Sequence, residues 1–462
     1  MVLHHVGPQL GASLARLVEA LAQQGQRAVG HLCRPRHPGC HHGKHARWEH
    51  TEPAARPERR SLAQWHPVAR PDPIPGLPEA AQRRQAHSHL VVMAAFANAL
   101  AAQLDNKWND LEWAQMNRLR DAMAPTDSEE PAQWARCSGE PYAPRNRYMN
   151  VDPYQANRVR LEVPDDANDY INASPIELKS TKTGTVLKYI ATQGPKADSW
   201  SHIWRMIWNQ NESPAVIVMV TKTHEQGREK CYPYYPRSTE HPVLRVNEHD
   251  EFGDGLIHHL HLKELSHDEG ARTEVREIEM TTEDGSESRN VWHLLFEGWP
   301  DFSVPEGQDK AALLNMVELS RQKNSNNSTN PRIVHCSAGI GRSGTFIALD
   351  WLIQELEEGS LDDLSDDDDP VTSVIEMLRD QRPMMVQSKQ QFIFIYETLR
   401  ERWRERWIAQ HPEEASQLGI RPTVHDEEPA LKRQKSNADG DAFVSDEERA
   451  KLEAELMGAD YE

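Results

Sequence analysis

The chain of 462 residues has few cysteines, no long apolar run and no excess of positive charge. Its five cysteines are odd in number and widely spaced, and no secretory signal accompanies them, a pattern typical of reduced thiols in a cytosolic compartment. The longest apolar run, from Leu90 to Ala102, is interrupted by Asn98 and falls short of the roughly 18 residues that cross a membrane. The formal net charge of -20 argues against a general binder of nucleic acid or of anionic membranes.

Charge and composition divide the chain into three parts. Residues 1–88 are rich in Pro, His and Arg and carry a net charge of +6, which leaves -26 for the rest of the chain. A segment with so few apolar residues cannot offset the entropy that is lost when it becomes ordered. We therefore expect a disordered N-terminal region (1–88), one large domain (89–410) and a disordered acidic C-terminal tail (411–462).

Two features of the N-terminal region admit other interpretations. Its Arg-containing, acid-poor start resembles a transit peptide, but the helical stripe within it carries a single Arg. Thiol and imidazole groups that could bind zinc lie close together, but their spacing fits no standard zinc pattern. These residues are Cys33, His37, Cys40, His41, His42 and His45. We expect neither a transit signal nor a bound metal.

Helical and extended patterns alternate within the large domain. Trp200, Ile203, Trp204, Ile207 and Trp208 follow the spacing of an amphipathic helix. Apolar runs rich in β-branched residues predict strands at 215–220, 256–262 and 291–296, and helical spacing returns at 104–119 and 392–407. Buried strands between helices predict a layered α/β domain.

Three polar or reactive features receive plainer interpretations. We expect His258, His259 and His261 to lie on the surface or on the wall of a pocket. The stretch 355–369 holds nine carboxylates and is predicted to be a solvated surface loop. Cys231 is expected to be a small buried residue.

The chemistry is concentrated where a short strand, 332–335, meets a helix that begins near Arg342. Between them lies the sequence His335–Cys336–Ser337–Ala338–Gly339–Ile340–Gly341–Arg342–Ser343–Gly344. The backbone N–H groups of such a small-residue loop can surround one tetrahedral anion at a helix N-terminus. The same dipoles, with Arg342 and the Ser343 hydroxyl, favour a thiolate, and such surroundings bring the pKa of a cysteine to roughly 3.5 to 7.5. The sequence predicts a phosphate-binding cup with Cys336 as nucleophile.

This motif resembles that of the phosphotyrosine-specific, non-receptor protein tyrosine phosphatases. Six further segments resemble family signatures in the family's order: Arg145–Asn146–Arg147–Tyr148 (substrate-recognition loop), 169–174, 192–195, 230–231, Trp299–Pro300–Asp301 (mobile acid loop) and 387–391 (glutamine loop). The resemblance covers about residues 90–408. It implies an α/β fold of tyrosine-phosphatase type, with a central twisted mixed sheet flanked by helices on both faces.

The resemblance also implies catalytic roles. Cys336 attacks phosphorus and becomes a phosphocysteine, while Arg342 stabilises the phosphoryl charge. Asp301 protonates the leaving phenolate and later acts as a base. Gln387 places the water that attacks the phosphocysteine, and Ser343 stabilises the departing thiolate. For Ser343, a helix-capping hydroxyl is a compatible alternative.

Substrate-binding and supporting roles follow in the same way. The phosphate is bound by Arg342 together with Ser337, Ala338, Gly339, Ile340 and Gly341, and Tyr148 flanks the phosphotyrosine ring. Asp301, Gln387 and Gln391 also line the substrate site. Glu225 orients Arg342, Lys230 meets the closed acid loop, and His335 tunes the thiolate through backbone contacts. For the charged pair, an ordinary surface ion pair is the alternative.

The expected function is therefore hydrolysis of protein phosphotyrosine in signalling control, without a metal or other cofactor. A phosphoinositide phosphatase would favour a second cation inside the cup, and this cup has none. A catalytically dead binding module would be expected to lack Cys336, Arg342 or Asp301, and all three are present. Arg145 stands where the family usually has Lys, which leaves the peptide preference open. Expected partners are phosphotyrosine proteins and kinases acting on the tail, with no nucleic acid and no membrane span. The expected location is the cytoplasm, with nuclear access.

Overall fold

The computed structural model describes residues 102–123, 132–300, 303–362, 364 and 368–417. The chain divides into two compact units, 1–106 and 107–462, and of the first only 102–106 are described. The predictions for 1–88, for the zinc alternative and for the tail beyond 417 lie outside the described residues. Asp301 also lies outside them. No helix in the described ranges is long and apolar enough to cross a membrane.

Within the described part of the chain, helices and strands alternate. The helices are α1 (102–122), α2 (Ser201–Gln210), α3 (Gly307–Lys323), α4 (Gly341–Glu358), α5 (Pro370–Gln381), α6 (Lys389–Gln410) and α7 (Pro412–Gln417). The strands are β1 (Ala173–Lys179), β2 (Val186–Thr192), β3 (Ala215–Met219), β4 (His224–Glu225), β5 (Arg228–Glu229), β6 (Val243–Val246), β7 (His258–Asp268), β8 (Thr273–Thr282), β9 (Ser288–Phe296) and β10 (Arg332–His335). The short helix α7 falls within the segment that was predicted to be a disordered tail.

Eight strands form one mixed sheet in the order β1-β2-β10-β3-β9-β8-β7-β6. The central pairs, β2 with β10, β10 with β3 and β3 with β9, are parallel, and the outer pairs are antiparallel. β4 and β5 form a separate antiparallel pair. The predicted mixed sheet is confirmed, and β10, which leads into the cup, lies between two parallel neighbours.

Helices cover both faces of this sheet. Ile333 of β10 belongs to a buried cluster that also contains Ile203 and Ile207 of α2. Side chains alternate along a strand, so Val334 points to the opposite face, where it too is fully buried. Helix α4 contacts β2 and β10 and covers that second face. Apolar packing against Ile333 on one face and Val334 on the other therefore holds β10 in position.

Elements near the cup agree closely with their sequence patterns, whereas one outer strand does not. The strands predicted at 215–220, 291–296 and 332–335 and the helices at 200–208 and 392–407 are confirmed as β3, β9, β10, α2 and α6. The strand predicted at 256–262 begins at His258 and continues to Asp268. Its second half is polar and has no apolar run, but it pairs with β8 to the end of the hairpin. Backbone pairing, not burial, extends that strand.

The three histidines of β7 differ in burial but agree with their prediction, since His258 lines the wall of a pocket with Phe252 and Leu256. His258 is 1% exposed and its ring lies 4.4 Å from the Trp208 ring, between centroids. Burial lowers the pKa of His258 to about 4. His259 and His261 remain partly exposed, as predicted. The alternation of the strand separates His258 from its two neighbours.

The acidic stretch 355–369 is not wholly a solvated loop. Glu355 belongs to α4, is 1% exposed, and accepts the backbone N–H of Thr181 at 3.0 Å. Asp369 caps α5, where its carboxylate accepts the N–H groups of Val371 and Thr372 at 3.1 and 3.2 Å. The two ends of the stretch are thus structural, because each carboxylate satisfies backbone donors.

Candidate active site

The predicted cup lies where the central strand β10 meets the N-terminus of α4, and its five inner residues, 337–341, are all buried. Gly339 has a φ of +73°, and a Cβ at this position would lie 2.1 Å from the carbonyl oxygen of Thr192. A Cβ on Gly194 would lie 2.8 Å from the carbonyl oxygen of Cys336. Only glycine fits at these two positions, so the loop can turn tightly against the end of β2.

Cys336 lies at the base of the cup. It is 4% exposed, and its Sγ accepts the backbone N–H of Gly339 at 3.2 Å. Helix α4 begins five residues later at Gly341, so the positive end of its dipole is directed toward the loop. The sulfur is therefore placed where a nucleophile would meet an anion held by backbone N–H groups.

His335, which precedes the cysteine, is fully buried and uncharged. Burial lowers its pKa to about 4. Its Nδ1 lies 3.1 Å from the carbonyl oxygen of Cys336, and its Nε2 lies 2.7 Å from the hydroxyl of Tyr234. A carbonyl can only accept, so Nδ1 carries the proton and the Tyr234 hydroxyl donates to Nε2. His335 thus fixes the backbone of the cysteine through a neutral ring.

Arg342 and Glu225 form a buried two-pronged ion pair. Nη1 lies 2.8 Å from Oε1 and Nη2 lies 2.8 Å from Oε2. The side chains are 5% and 9% exposed, respectively, which sets this pair apart from the ordinary surface ion pair that was the alternative. Nη1 also donates to the Thr221 hydroxyl at 3.0 Å. Thr221, which lies between β3 and β4, and Glu225, which lies in β4, therefore hold the guanidinium plane in position.

The recognition loop approaches the cup through Tyr148. Its hydroxyl lies 2.8 Å from Oγ of Ser337, and that Oγ donates to the carbonyl oxygen of Lys230 at 2.8 Å. The side-chain amide of Gln193 holds the backbone on both sides of Asn146. It donates to the carbonyl oxygen of Arg145 and accepts the N–H of Arg147, both at 2.8 Å. The Tyr148 hydroxyl therefore contacts the cup at Ser337.

The two glutamines lie against the first residue of α4. A Cβ on Gly341 would lie 3.0 Å from Oε1 of Gln387 and 3.1 Å from Nε2 of Gln391. The backbone N–H of Gln387 donates to Oε1 of Gln391 at 3.1 Å. The hydroxyl of Ser343 is buried, and no group among the described residues hydrogen-bonds to it. Because Ser343 is the third residue of α4, it does not provide the side-chain cap that was its alternative.

The acid loop is described up to Pro300 and again from Ser303. Trp299 is 1% exposed, and its Nε1 donates to the carbonyl oxygen of Ser303 at 2.9 Å. The indole thus joins the two sides of the loop that contains Asp301. Lys230 is 6% exposed, and its neighbour Cys231 is fully buried, which raises the pKa of that thiol. Cys231 is a buried residue, as predicted.

Sequence reasoning missed Arg382, which supports the cup from behind. It is fully buried, with Nε donating to the carbonyl oxygen of Gly339 at 2.9 Å and Nη2 donating to that of Ala338 at 3.2 Å. Burial lowers its pKa to about 10, so it remains a cation at neutral pH. An Arg near the end of a helix carries no periodic or motif signal, and only its position in the fold identifies it.

A family model described as protein-tyrosine phosphatase matches residues 142–401. Tyrosine-protein phosphatase 1 of Saccharomyces cerevisiae is 37% identical over 281 residues, which span 54% of this chain and 80% of the relative. Receptor-type tyrosine-protein phosphatase C of mouse is 38% identical over 267 residues, 55% of this chain and only 18% of that much longer relative. The chain therefore spans less than a fifth of the length of that receptor-type relative.

Solved structures agree. The catalytic domain of human protein tyrosine phosphatase non-receptor type 18 is 28% identical, with a TM-score of 0.51, and the match covers 67% of this chain and 98% of that one. A complex of PTPN18 with a HER2 phosphopeptide matches with a TM-score of 0.53 at 28% identity, covering 69% of this chain and 99% of that one. The chain therefore belongs to the protein-tyrosine phosphatases, hydrolases that remove phosphate from phosphotyrosine.

Proposed function

We propose that this phosphatase acts on protein phosphotyrosine through a phosphocysteine intermediate, without a metal. The observation that carries the proposal is the position of Cys336 Sγ, 3.2 Å from the N–H of Gly339 and at the start of α4. Backbone N–H groups at a helix N-terminus bind a phosphoryl group, and a sulfur at the base of the same cup is placed for attack.

In the first half-reaction, the Cys336 thiolate attacks phosphorus as the bond from phosphorus to the phenolic oxygen breaks. Arg342, whose plane is fixed by Glu225, and the cup N–H groups stabilise the equatorial oxygens. Asp301 donates its proton to the leaving phenolate, which departs as a neutral tyrosine.

In the second half-reaction, a water placed by Gln387 and Gln391 attacks phosphorus, and the phosphorus–sulfur bond breaks. Asp301 accepts a proton from that water, and inorganic phosphate leaves. The Ser343 hydroxyl is buried and has no hydrogen-bond partner among the described groups, so it can donate to the departing thiolate. Loss of that donor would raise the barrier of this step.

The substrate is a phosphotyrosine segment of a protein, and the biological role lies in signalling control. Tyr148, anchored to Ser337 by its hydroxyl, flanks the aromatic ring of the substrate, a contact that phosphoserine cannot make. The structures of PTPN18 with HER2 phosphopeptides concern a relative that binds phosphotyrosine peptides, which supports the same substrate class here.

The experiment compares hydrolysis of a phosphotyrosine peptide with that of the same peptide carrying phosphoserine, with and without a chelator. We expect turnover of the phosphotyrosine peptide only, unaffected by chelation. Cys336→Ser should abolish turnover but retain binding of the phosphotyrosine peptide. Comparable phosphoserine turnover, strict dependence on a divalent metal, or an active Ser variant would contradict the proposal.

The catalytic domain is proposed to comprise residues 89–410, with 1–88 and 411–462 regulating or localising the enzyme. The basic run before Ser436 and the acidic run after Ser445 would suit two different classes of kinase. The two flanking regions differ in charge from one another, which supports separate functions. Full turnover of a small aryl phosphate by residues 89–410 supports these boundaries, and a large loss of activity overturns them.

A further inference from the structure

A buried carboxylate, Asp152, lies behind the recognition loop and has no part in the proposed chemistry. Asp152 is 2% exposed, and its Oδ1 accepts a hydrogen bond from Nδ2 of Asn146 at 2.8 Å. Asn146 is two residues before Tyr148, the tyrosine that contacts the cup. The carboxylate therefore contacts the base of the recognition loop that carries Tyr148.

The amide of Asn146 has one orientation that satisfies all its neighbours. Its Oδ1 accepts the hydroxyl of Tyr170 at 2.6 Å and Nδ2 of Asn172 at 2.9 Å. Both neighbours act as donors, so the amide oxygen must face them and the NH₂ group must face Asp152. Protonation of Asp152 leaves an acceptor oxygen but removes its charge, so the hydrogen bond from Asn146 becomes weaker and holds the loop less firmly.

The same network reaches the cup. Oδ1 of Asn172 accepts Nη2 of Arg382 at 2.8 Å, and Arg382 in turn holds the carbonyl oxygens of Ala338 and Gly339. Asn172 has a second, independent anchor, because its Nδ2 also donates to the carbonyl oxygen of Val151 at 2.6 Å. A change at Asp152 should therefore affect Asn146 and the recognition loop more than the cup.

Four titratable or charged groups face Asp152. Nη1 of Arg136 lies 3.9 Å from Oδ2, while Arg382, Cys137 and Tyr170 interact with the carboxylate electrostatically. Burial outweighs the two cations and raises the pKa of Asp152 to about 6. At neutral pH the ionised carboxylate of Asp152 therefore lowers the stability of the folded protein. Buried charges of this kind are concentrated at functional sites.

We propose that the ionised carboxylate of Asp152 positions the recognition loop, and that its protonation weakens phosphotyrosine binding while leaving the chemical step unchanged. Asp152 is a positioning residue, since it acts through Asn146 and touches no reacting atom. The inference rests on the proposed function, because it concerns the affinity of the same site for the same substrate class.

The test compares the full chain with Asp152→Asn, measuring kcat and KM for a phosphotyrosine peptide from about pH 5 to about pH 7.5. Asn is a neutral mimic of the protonated acid. At the upper pH we expect the variant to have a KM about fivefold higher, because a hydrogen bond to a neutral oxygen replaces one to a charged oxygen, with kcat within about twofold. At the lower pH the two KM values should converge. The substrate phosphate also titrates near pH 6, but it does so equally in both reactions, so the ratio of KM values removes it.

Three further readouts separate positioning from a structural role. Asp166→Asn, an exposed carboxylate, is the matched control and should leave KM unchanged at every pH. Inorganic phosphate binds in the cup but has no aromatic ring to contact Tyr148. Its inhibition constant should therefore change by less than about twofold in Asp152→Asn.

The folded-state pKa of Asp152 is raised, so its stabilising contribution is present at low pH and is lost as pH rises through about 6. Asp152→Asn should therefore melt no lower than wild type at about pH 7.5.

Several results would overturn the inference. One is a KM ratio that does not change with pH, and another is a parallel fall in kcat, phosphate inhibition and melting temperature. Asp152→Ser, which cannot titrate in this range, gives the same decision if the Asn variant folds poorly. If the wild-type enzyme hydrolyses phosphotyrosine but the ratio of the two KM values stays constant with pH, only this inference is overturned. If the wild-type enzyme does not hydrolyse phosphotyrosine, the proposed function is overturned as well.

Discussion

Glu225 and Arg342 are joined by two parallel hydrogen bonds of 2.8 Å, although they are 117 residues apart in the chain. Both side chains are almost completely buried, so solvent screens the pair weakly. The short β4–β5 pair that carries Glu225 thereby sets the plane of the guanidinium in the phosphate cup. A fixed plane matters because bidentate binding of phosphate oxygens depends on orientation as well as on charge.

Arg342→Lys should lower kcat/KM by at least about 100-fold, since a lysine retains the charge but loses the planar fork. Glu225→Gln should cost less, about tenfold, because the arginine remains present but loses one charged partner that orients it. Steady-state kinetics on a phosphotyrosine peptide measures both. Glu240→Gln, at an exposed position, is the control and should have no effect. Equal losses in the Arg342 and Glu225 variants would contradict an orienting role for Glu225.

The glycine at position 339 offers a test of the cup geometry. A methyl group there would lie 2.1 Å from the Thr192 carbonyl oxygen, so Gly339→Ala must displace the loop from the end of β2. We expect the variant to lose phosphate inhibition and turnover together. Gly253 also has a positive φ, of +65°, but a methyl group added to it would have no other atom within 4 Å. Gly253→Ala should therefore cost only about 1 kcal/mol of stability and keep full activity, and similar losses in both variants would show that backbone strain alone explains them.

The cup and the loops around it could be predicted because each of them is formed by a short run of consecutive residues with a recognisable motif. The segment 335–344 joins a cysteine, small residues and an arginine at fixed spacing. The strand that leads into it, β10, carries the apolar pair Ile333 and Val334 between polar residues. Local sequence of this kind determines local backbone. The central strand β3 follows the same rule, because burial on both faces selects apolar, largely β-branched residues without interruption.

The supporting residues could not be predicted, because their partners come from distant parts of the chain. Arg382 resembles any basic residue near a helix end until the fold brings Gly339 and Asn172 to it. Asp152 resembles a polar loop residue, and only packing removes it from water. Glu355 resembles its exposed neighbours in an acidic run, yet the turn at Thr181 buries it. Burial of a single charge depends on tertiary packing, which no short window contains.

The three described cysteines should differ sharply in reactivity. Burial raises the pKa of Cys137 to about 11 and that of Cys231 further still, so both remain thiols at neutral pH. Cys336 lies at a helix N-terminus with an N–H directed at its sulfur. Low doses of peroxide should therefore inactivate the enzyme through Cys336, and a thiol reductant should restore activity. Mass spectrometry of alkylated peptides identifies the site, and first labelling at Cys137 or Cys231, or inactivation that thiols cannot reverse at low dose, would contradict the prediction.

Asp301→Ala should lower turnover of a phosphotyrosine peptide by about 100 to 10,000-fold while the substrate still binds. The residue follows Trp299, whose indole is buried and joined to the Ser303 carbonyl oxygen, so the loop around position 301 has an anchor on each side. A general acid is needed most when the leaving group is basic. We therefore expect the loss to be large for phosphotyrosine and small for an aryl phosphate whose phenol is strongly acidic. Asp309→Ala, a carboxylate in the first turn of α3, is the control for a lost charge nearby. If Asp301→Ala loses the same factor on both substrates, protonation of the leaving group does not involve this residue, and its carboxylate acts instead on substrate binding or loop position.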